Sequence, residues 1–158
     1  MNAQVWIAIL VGLAAAIDDL KRRQIANWIP ATALTGGLGW QVASYGWPGW
    51  LYGLGGAAAG FGVFLIFYLL GGMGGGDVKL MAGFGALLGA GRLVEAALWT
   101  AGAGGLLALG VLAYRALRAK FAGTPPVEAS PEQKLEQESI PYAPAIALGV
   151  WLSLVPKG

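Results

Sequence analysis

Most of this chain consists of long apolar segments, and they limit the structures it can adopt more than any other feature. Only 11% of the residues are charged, against about 25% in soluble domains. Six apolar segments lie between polar, glycine or proline breaks, at about 3–17, 28–46, 50–70, 77–91, 93–114 and 141–156. A transmembrane helix needs about 20 apolar residues, and the first, fourth and sixth segments are shorter than that. The sequence predicts an all-α, polytopic membrane protein with about six transmembrane helices, forming a single domain over residues 1–158.

The basic residues predict how the helices are oriented. With six spans and the N-terminus outside, eight Lys and Arg residues fall on the cytoplasmic side, and only Arg92 and Lys157 fall outside. Such a bias is typical of cytoplasmic loops. The eight are Lys21, Arg22, Arg23, Lys79, Arg115, Arg118, Lys120 and Lys134. Residues 1–16 contain no Lys or Arg, which argues against a cleaved signal peptide there. We therefore expect a multi-pass protein of the cytoplasmic (inner) membrane, in contact with membrane lipid.

The residue types that are absent exclude several kinds of active site. The chain contains no Cys and no His. Disulfides, thiolate and imidazole metal sites, cysteine nucleophiles and Ser-His catalysis are therefore excluded. We predict no metal, no other cofactor and no nucleic-acid partner. Hydrolytic chemistry would have to come from carboxylates or from a Ser-Lys pair, and the Ser-Lys pair is the weaker alternative because no serine has a well-placed Lys partner at membrane depth.

Two aspartates stand at equivalent ends of the predicted spans. Asp19 ends the first span and Asp77 begins the fourth, so two complete spans return the chain to the same face and bring both carboxylates to a similar depth. Acidic residues in apolar segments are costly and often functional. Two carboxylates at one depth can share a proton, so that one activates a water and the other donates to a peptide carbonyl. The simpler interpretation is that each aspartate only caps a helix at the interface.

Glycines precede the second aspartate, in the segment Gly72-Met73-Gly74-Gly75-Gly76-Asp77. Glycine lets the backbone turn sharply and approach another chain closely, so an extended peptide could pair with this segment. Close packing between helices is the alternative role. A phosphate-binding loop is a poor match, because no Lys-Ser/Thr pair follows at the required spacing.

Three segments resemble the motifs of type IV prepilin and preflagellin peptidases, the GxGD membrane aspartic proteases. Gly74-Gly75-Gly76-Asp77-Val78-Lys79 is similar to their GxGDxK motif. The segment from Asp19 to Asn27 resembles their first aspartate motif, with Ala26 where the family usually has Pro. Residues 140–149 are similar to part of their last helix. The resemblance covers nearly the whole chain, with the three motifs in the family's order.

The resemblance implies an aspartic endopeptidase that removes the basic leader of type IV prepilin-like precursors, Flp-type pilins or archaellins, at the cytoplasmic face. It makes Asp19 and Asp77 the catalytic pair and gives Asp18 an interfacial or supporting role. Substrate-binding or supporting roles fall to Gly74, Gly75, Gly76, Lys79, Ile25 and Asn27. The chain lacks the cysteine-bearing N-terminal cytoplasmic domain of the longer, bifunctional members. We therefore expect peptidase activity alone, without methylation of the mature N-terminus.

Residues 121–140 are polar and proline-rich, and form a cytoplasmic loop in the predicted topology. They contain four Glu and one Lys, so the loop could steer a basic leader towards the aspartates. A solvated linker is the simpler interpretation. Two other functions remain open at this point. A small transporter or proton relay would need polar residues along a path across the membrane, and a structural secretion-system subunit would tolerate replacement of both aspartates.

Overall fold

A computed structural model describes residues 3–122 and 142–155, and these residues form five helices and no strand. The helices are α1 (Ala3–Arg22), α2 (Trp28–Tyr45), α3 (Gly49–Leu69), α4 (Gly75–Ala122) and α5 (Ala143–Ser153). By length and composition, three segments are able to cross a membrane: Ala3–Arg22, Gly49–Leu69 and Gly75–Tyr114. The protein is therefore an all-α protein of the membrane type, as the sequence predicts.

The predicted count of six spans is wrong. The predicted fourth and fifth spans are the two parts of α4, which meet at Gly89, where φ is 72°, and by length and composition only one candidate span, Gly75–Tyr114, covers them. A glycine adopts this backbone conformation without steric cost, so no polar connection is needed between the two parts. Helix α5 has 11 described residues, and α2 is not among the segments apolar enough to count as a candidate span. The predicted loop at 121–140 lies outside the described residues, except for positions 121 and 122, which end α4.

The chain reverses its direction at Gly89. Before it, α4 leads from Gly76, which lies beside Ile25 after α1, to Leu87, whose carbonyl accepts a hydrogen bond from Gln4 at the start of α1. After it, α4 returns to Gly104, which lies against Tyr142. We call residues 75–88 the first arm of α4 and residues 90–122 its second arm. The two arms run in opposite directions along the bundle.

The first arm forms the centre of the protein. Its fully buried side chains include Leu80, Met81 and Phe84. Neighbouring helices reach this arm through glycines: a Cβ atom added at Gly37 in α2 or Gly60 in α3 would lie 2.5 Å from a backbone atom of α4. Small residues of this kind let membrane helices pack backbone to backbone. The start of α4 is thereby held firmly between α2 and α3.

Helix α5 packs between α1 and the second arm of α4. The indole nitrogen of Trp151 donates a hydrogen bond to the Ala8 carbonyl at 3.0 Å, and Gly12 of α1 lies against the same indole ring. On the other side, Gly149 leaves room for the buried Thr100 of the second arm. These contacts place the first residues of α5 at the end of α1.

Candidate active site

Asp19 lies in the last turn of α1 and is only 7% exposed. The backbone N–H of Ala143 donates a hydrogen bond to its Oδ2 atom at 3.0 Å, and the amide of Tyr142 is a second backbone donor. The first N–H groups of a helix have no partner within the helix and favour negative charge nearby. The start of α5 therefore orients the carboxylate of Asp19.

Asp77 lies in the first turn of α4 and is also 7% exposed. The backbone N–H of Gly74 donates to its Oδ2 atom at 3.1 Å, and its own N–H donates to the Gly74 carbonyl at 3.1 Å. The glycine-rich segment turns sharply here, with a φ of 76° at Gly71. The Oδ1 atom of Asp77 is buried and accepts no hydrogen bond from the described residues. Asp77 therefore keeps one buried carboxylate oxygen without a donor among the described residues.

The structure brings the two aspartates together at one end of the bundle. Their carboxylates are close enough for their charges to interact, although α2 and α3 lie between them in the sequence. Both belong to helix ends, and both are held by backbone N–H groups from other segments. Among the described residues, no group of three or more acidic side chains could hold a metal ion.

Two contacts join the segment after Asp19 to the segment around Asp77. Lys79 donates a hydrogen bond from Nζ to Oδ1 of Asn27 at 3.0 Å. A Cβ atom added at Gly76 would lie 3.1 Å from the Cβ atom of Ile25, so the glycine lets the two segments touch. These four predicted supporting residues therefore lie together and fix the spacing between the helix ends that carry the aspartates.

The other two predicted glycines are placed differently. The N–H of Gly74 donates a hydrogen bond to the carboxylate of Asp77, as described above. An added Cβ atom at Gly75 would make only an ordinary contact, 3.6 Å from the Tyr68 ring. Gly75 thus has room for a small side chain, whereas Gly76 has almost none.

Asp18 supports the turn between α1 and α2. Its Oδ2 atom accepts a hydrogen bond from the N–H of Ala26 at 2.9 Å, and its Oδ1 atom lies 3.4 Å from Nε of Arg22. A proline at position 26, as in the resembled motif, would have no N–H to donate. Because position 26 is Ala and not Pro, its backbone N–H is present and donates a hydrogen bond to Asp18.

The sequence did not reveal the residues that bind Asp19. Ala143 and Tyr142 contribute backbone amides, which carry no side-chain signature, and Ala143 is 124 positions away from Asp19 in the chain. The only local signal is a proline in the first turn of α5, which is typical of a helix start.

Comparison with known proteins identifies the family. A model of the type IV leader peptidase family matches residues 6–109, which include both aspartates and all of the predicted supporting residues. The chain belongs to the type IV leader peptidase family. It is thus a leader-peptidase-like protease and a multi-pass membrane protein, and the suspected family resemblance is confirmed. No curated protein and no solved structure matches the chain.

Proposed function

We propose that this family member is an aspartic endopeptidase that removes the leader from type IV prepilin-like precursors, with Asp19 and Asp77 as its catalytic pair. The observation that carries the proposal is the placement of these two carboxylates, which are both buried and close enough for their charges to interact. Backbone amides hold each of them, and one oxygen of Asp77 has no donor among residues 3–122 and 142–155. If Asp19 and Asp77 only capped their own helices, their carboxylates would not need to lie close to each other.

In the proposed reaction, one carboxylate accepts a proton from a water as the water oxygen adds to the carbonyl carbon of the substrate. The other carboxyl group gives its proton to the carbonyl oxygen. Collapse of the tetrahedral intermediate breaks the C–N bond: the first carboxyl group gives the proton it took from the water to the leaving nitrogen, and a hydroxyl of the intermediate returns a proton to the second carboxylate. We assign the water to Oδ1 of Asp77, because this oxygen accepts no hydrogen bond from the described residues, whereas Oδ2 accepts one from the N–H of Gly74.

We further propose that the site faces the cytoplasm from the inner membrane. The basic residues Lys21 and Arg22 lie in the last turn of α1, next to Asp19, and Lys79 lies next to Asp77. Arg92 lies at the opposite end, in a cavity that Gln4 also lines. This distribution fits the preference of basic residues for the cytoplasmic side. The proposed substrates are Flp-type pilin or archaellin precursors with a basic leader.

The test is cleavage of a co-expressed prepilin by the wild type and by Asp19→Asn and Asp77→Asn. Each variant should lower kcat by about 100-fold or more, because each removes one partner of acid–base catalysis. Immunoblotting should show normal amounts of each variant in the membrane.

Asp18→Asn is the matched control, because it removes an adjacent carboxylate and keeps an oxygen that can accept the Ala26 hydrogen bond. It should retain substantial activity. An inactive Asp18→Asn together with an active Asp19→Asn would show that the first catalytic acid has been assigned to the wrong residue.

A further inference from the structure

An apolar groove runs between α3 and the second arm of α4. It has a volume of about 430 Å³. Its walls include Ala59, Val63 and Phe67 from α3, and Val94, Leu98 and Gly105 from α4. No charged side chain of the described residues lines it. We call this feature the α3–α4 groove.

The groove is long enough to hold a helical segment. On α4 its lining extends from Ala90 to Gly105, and at 1.5 Å per residue this corresponds to about 22 Å. The hydrocarbon core of a bilayer is about 30 Å thick. The groove therefore extends along most of the membrane and can contact about four turns of a helix.

One end of the groove lies at the candidate active site. Met73 and Tyr142 both line it. Met73 directly precedes Gly74, whose N–H binds Asp77, and Tyr142 directly precedes Ala143, whose N–H binds Asp19. This end of the groove is therefore one residue away in the sequence from each of these backbone donors.

The groove is kept open by small residues. An added Cβ atom at Gly105 would meet no atom within 4 Å, and Ala59, Ala97 and Ala101 also line the walls. On its other side α3 has no such space, because Gly60 lies against the backbone of the first arm. The open side of α3 therefore faces the groove and the closed side faces the protein core.

We propose that the α3–α4 groove binds an apolar, helical segment of the substrate that directly adjoins the cleaved peptide bond. This inference rests on the proposed function and adds a binding site to it. Lipid chains would fill an apolar groove anywhere on the surface, but they do not account for the position of its end beside the residues that bind both aspartates. Helices associate in lipid mainly by close packing, so the shape of the groove determines which segments bind.

The test fills the groove by replacing Gly105 with Leu. Gly102→Leu is the matched control, because Gly102 lies three residues away in the same arm, has equally open surroundings and does not line the groove. Each variant is assayed with two substrates: a full-length precursor in liposomes, and a soluble peptide that contains the leader and cleavage site but lacks the apolar segment.

For Gly105→Leu, we expect kcat/KM for the full-length precursor to fall about tenfold relative to kcat/KM for the soluble peptide, mostly through KM. Gly102→Leu should leave this ratio unchanged. An unchanged ratio for Gly105→Leu, or an equal loss with both substrates, would overturn the proposal. Failure of the proposed function gives a different result, because the wild type would then cleave neither substrate.

Cross-linking locates the segment directly, and the chain has no natural cysteine to interfere. Leu98→Cys is combined with Asp19→Asn, and precursors carry single cysteines along their apolar segment. Disulfides should form at positions one helical turn apart and be absent with a cysteine at Leu109, which is exposed and outside the groove. Equal cross-linking at Leu98 and Leu109 would contradict a specific groove.

Discussion

The two arms of α4 are both apolar in sequence, but the large side chains named below are buried in the first arm and exposed in the second. In the first arm, Leu80, Met81 and Phe84 are completely buried. In the second arm, Val94 and Leu98 are 63% and 70% exposed. The first arm is packed backbone to backbone through glycines and carries Asp77, whereas the second arm presents apolar side chains to its surroundings. Asp77 therefore lies at the start of the closely packed arm, whereas many apolar side chains of the other arm are exposed.

The largest difference between the arms is expected in stability, when one glycine of each arm is replaced by Leu. Gly85→Leu places a Cβ atom 2.8 Å from the carbonyl carbon of Gly56, a backbone atom that cannot move away. Overpacking of this kind costs about 1–3 kcal/mol or more. We expect a strongly lowered Tm in detergent and little folded protein in the membrane.

Gly102→Leu in the second arm is the comparison, because its surroundings are open. Its Tm should stay within a few degrees of the wild type. Equal destabilisation by both substitutions would mean that the two arms are packed alike.

A smaller effect is expected at the start of the first arm, where Gly76 touches Ile25. Gly76→Ala places a methyl group 3.1 Å from the Cβ atom of Ile25 and should push apart the helix ends that carry the aspartates. A displacement of this size should lower kcat severalfold to about tenfold, because catalysis depends on the position of the reacting groups. Cleavage rates at saturating precursor measure this effect.

Gly75→Ala is the control, since its added methyl group has room beside Tyr68, and its kcat should be nearly unchanged. Adding Ile25→Ala to Gly76→Ala should restore part of the activity, because the second change makes space for the first. If the double variant were no better than the single one, the contact with Ile25 would not be the cause.

The smallest effect concerns the reversal between the arms. The carbonyl of Leu87, just before Gly89, accepts hydrogen bonds from Gln4 at 2.8 Å and from Gln41 at 3.2 Å. Gln41→Leu should lower the free energy of unfolding by about 0.5–1.5 kcal/mol, the usual net contribution of one hydrogen bond. Thermal unfolding of the single and double variants measures it.

Combined with Gln4→Leu, the loss should exceed the sum of the two single losses, because Leu87 then has neither side-chain donor. Strict additivity would indicate that the two amides support the reversal independently.

The sequence predicted the helical class of the protein and placed Asp19 and Asp77 on the same face at a similar depth, because two intervening spans return the chain to that face. The resemblance also selected Ile25, Asn27, Gly76 and Lys79, which the structure places in contact. The reversal at Gly89 could not be predicted, because 27 glycines are spread through the apolar segments and only the backbone conformation distinguishes this one. The different burial of the two arms is equally invisible in the sequence, since in lipid both buried and exposed positions are apolar.

The hydrogen bond from Ala143 to Asp19 joins residues that are translated at very different times. Asp19 is made early, whereas its donor is translated 124 residues later. At about 5–20 residues per second, this interval lasts roughly 6 to 25 s. During biosynthesis the first aspartate is therefore already in the membrane while the amide that orients it does not yet exist. A nascent chain halted before α5 would contain both carboxylates but lack this oriented site, so the order of translation delays assembly of the site until the last described helix is made.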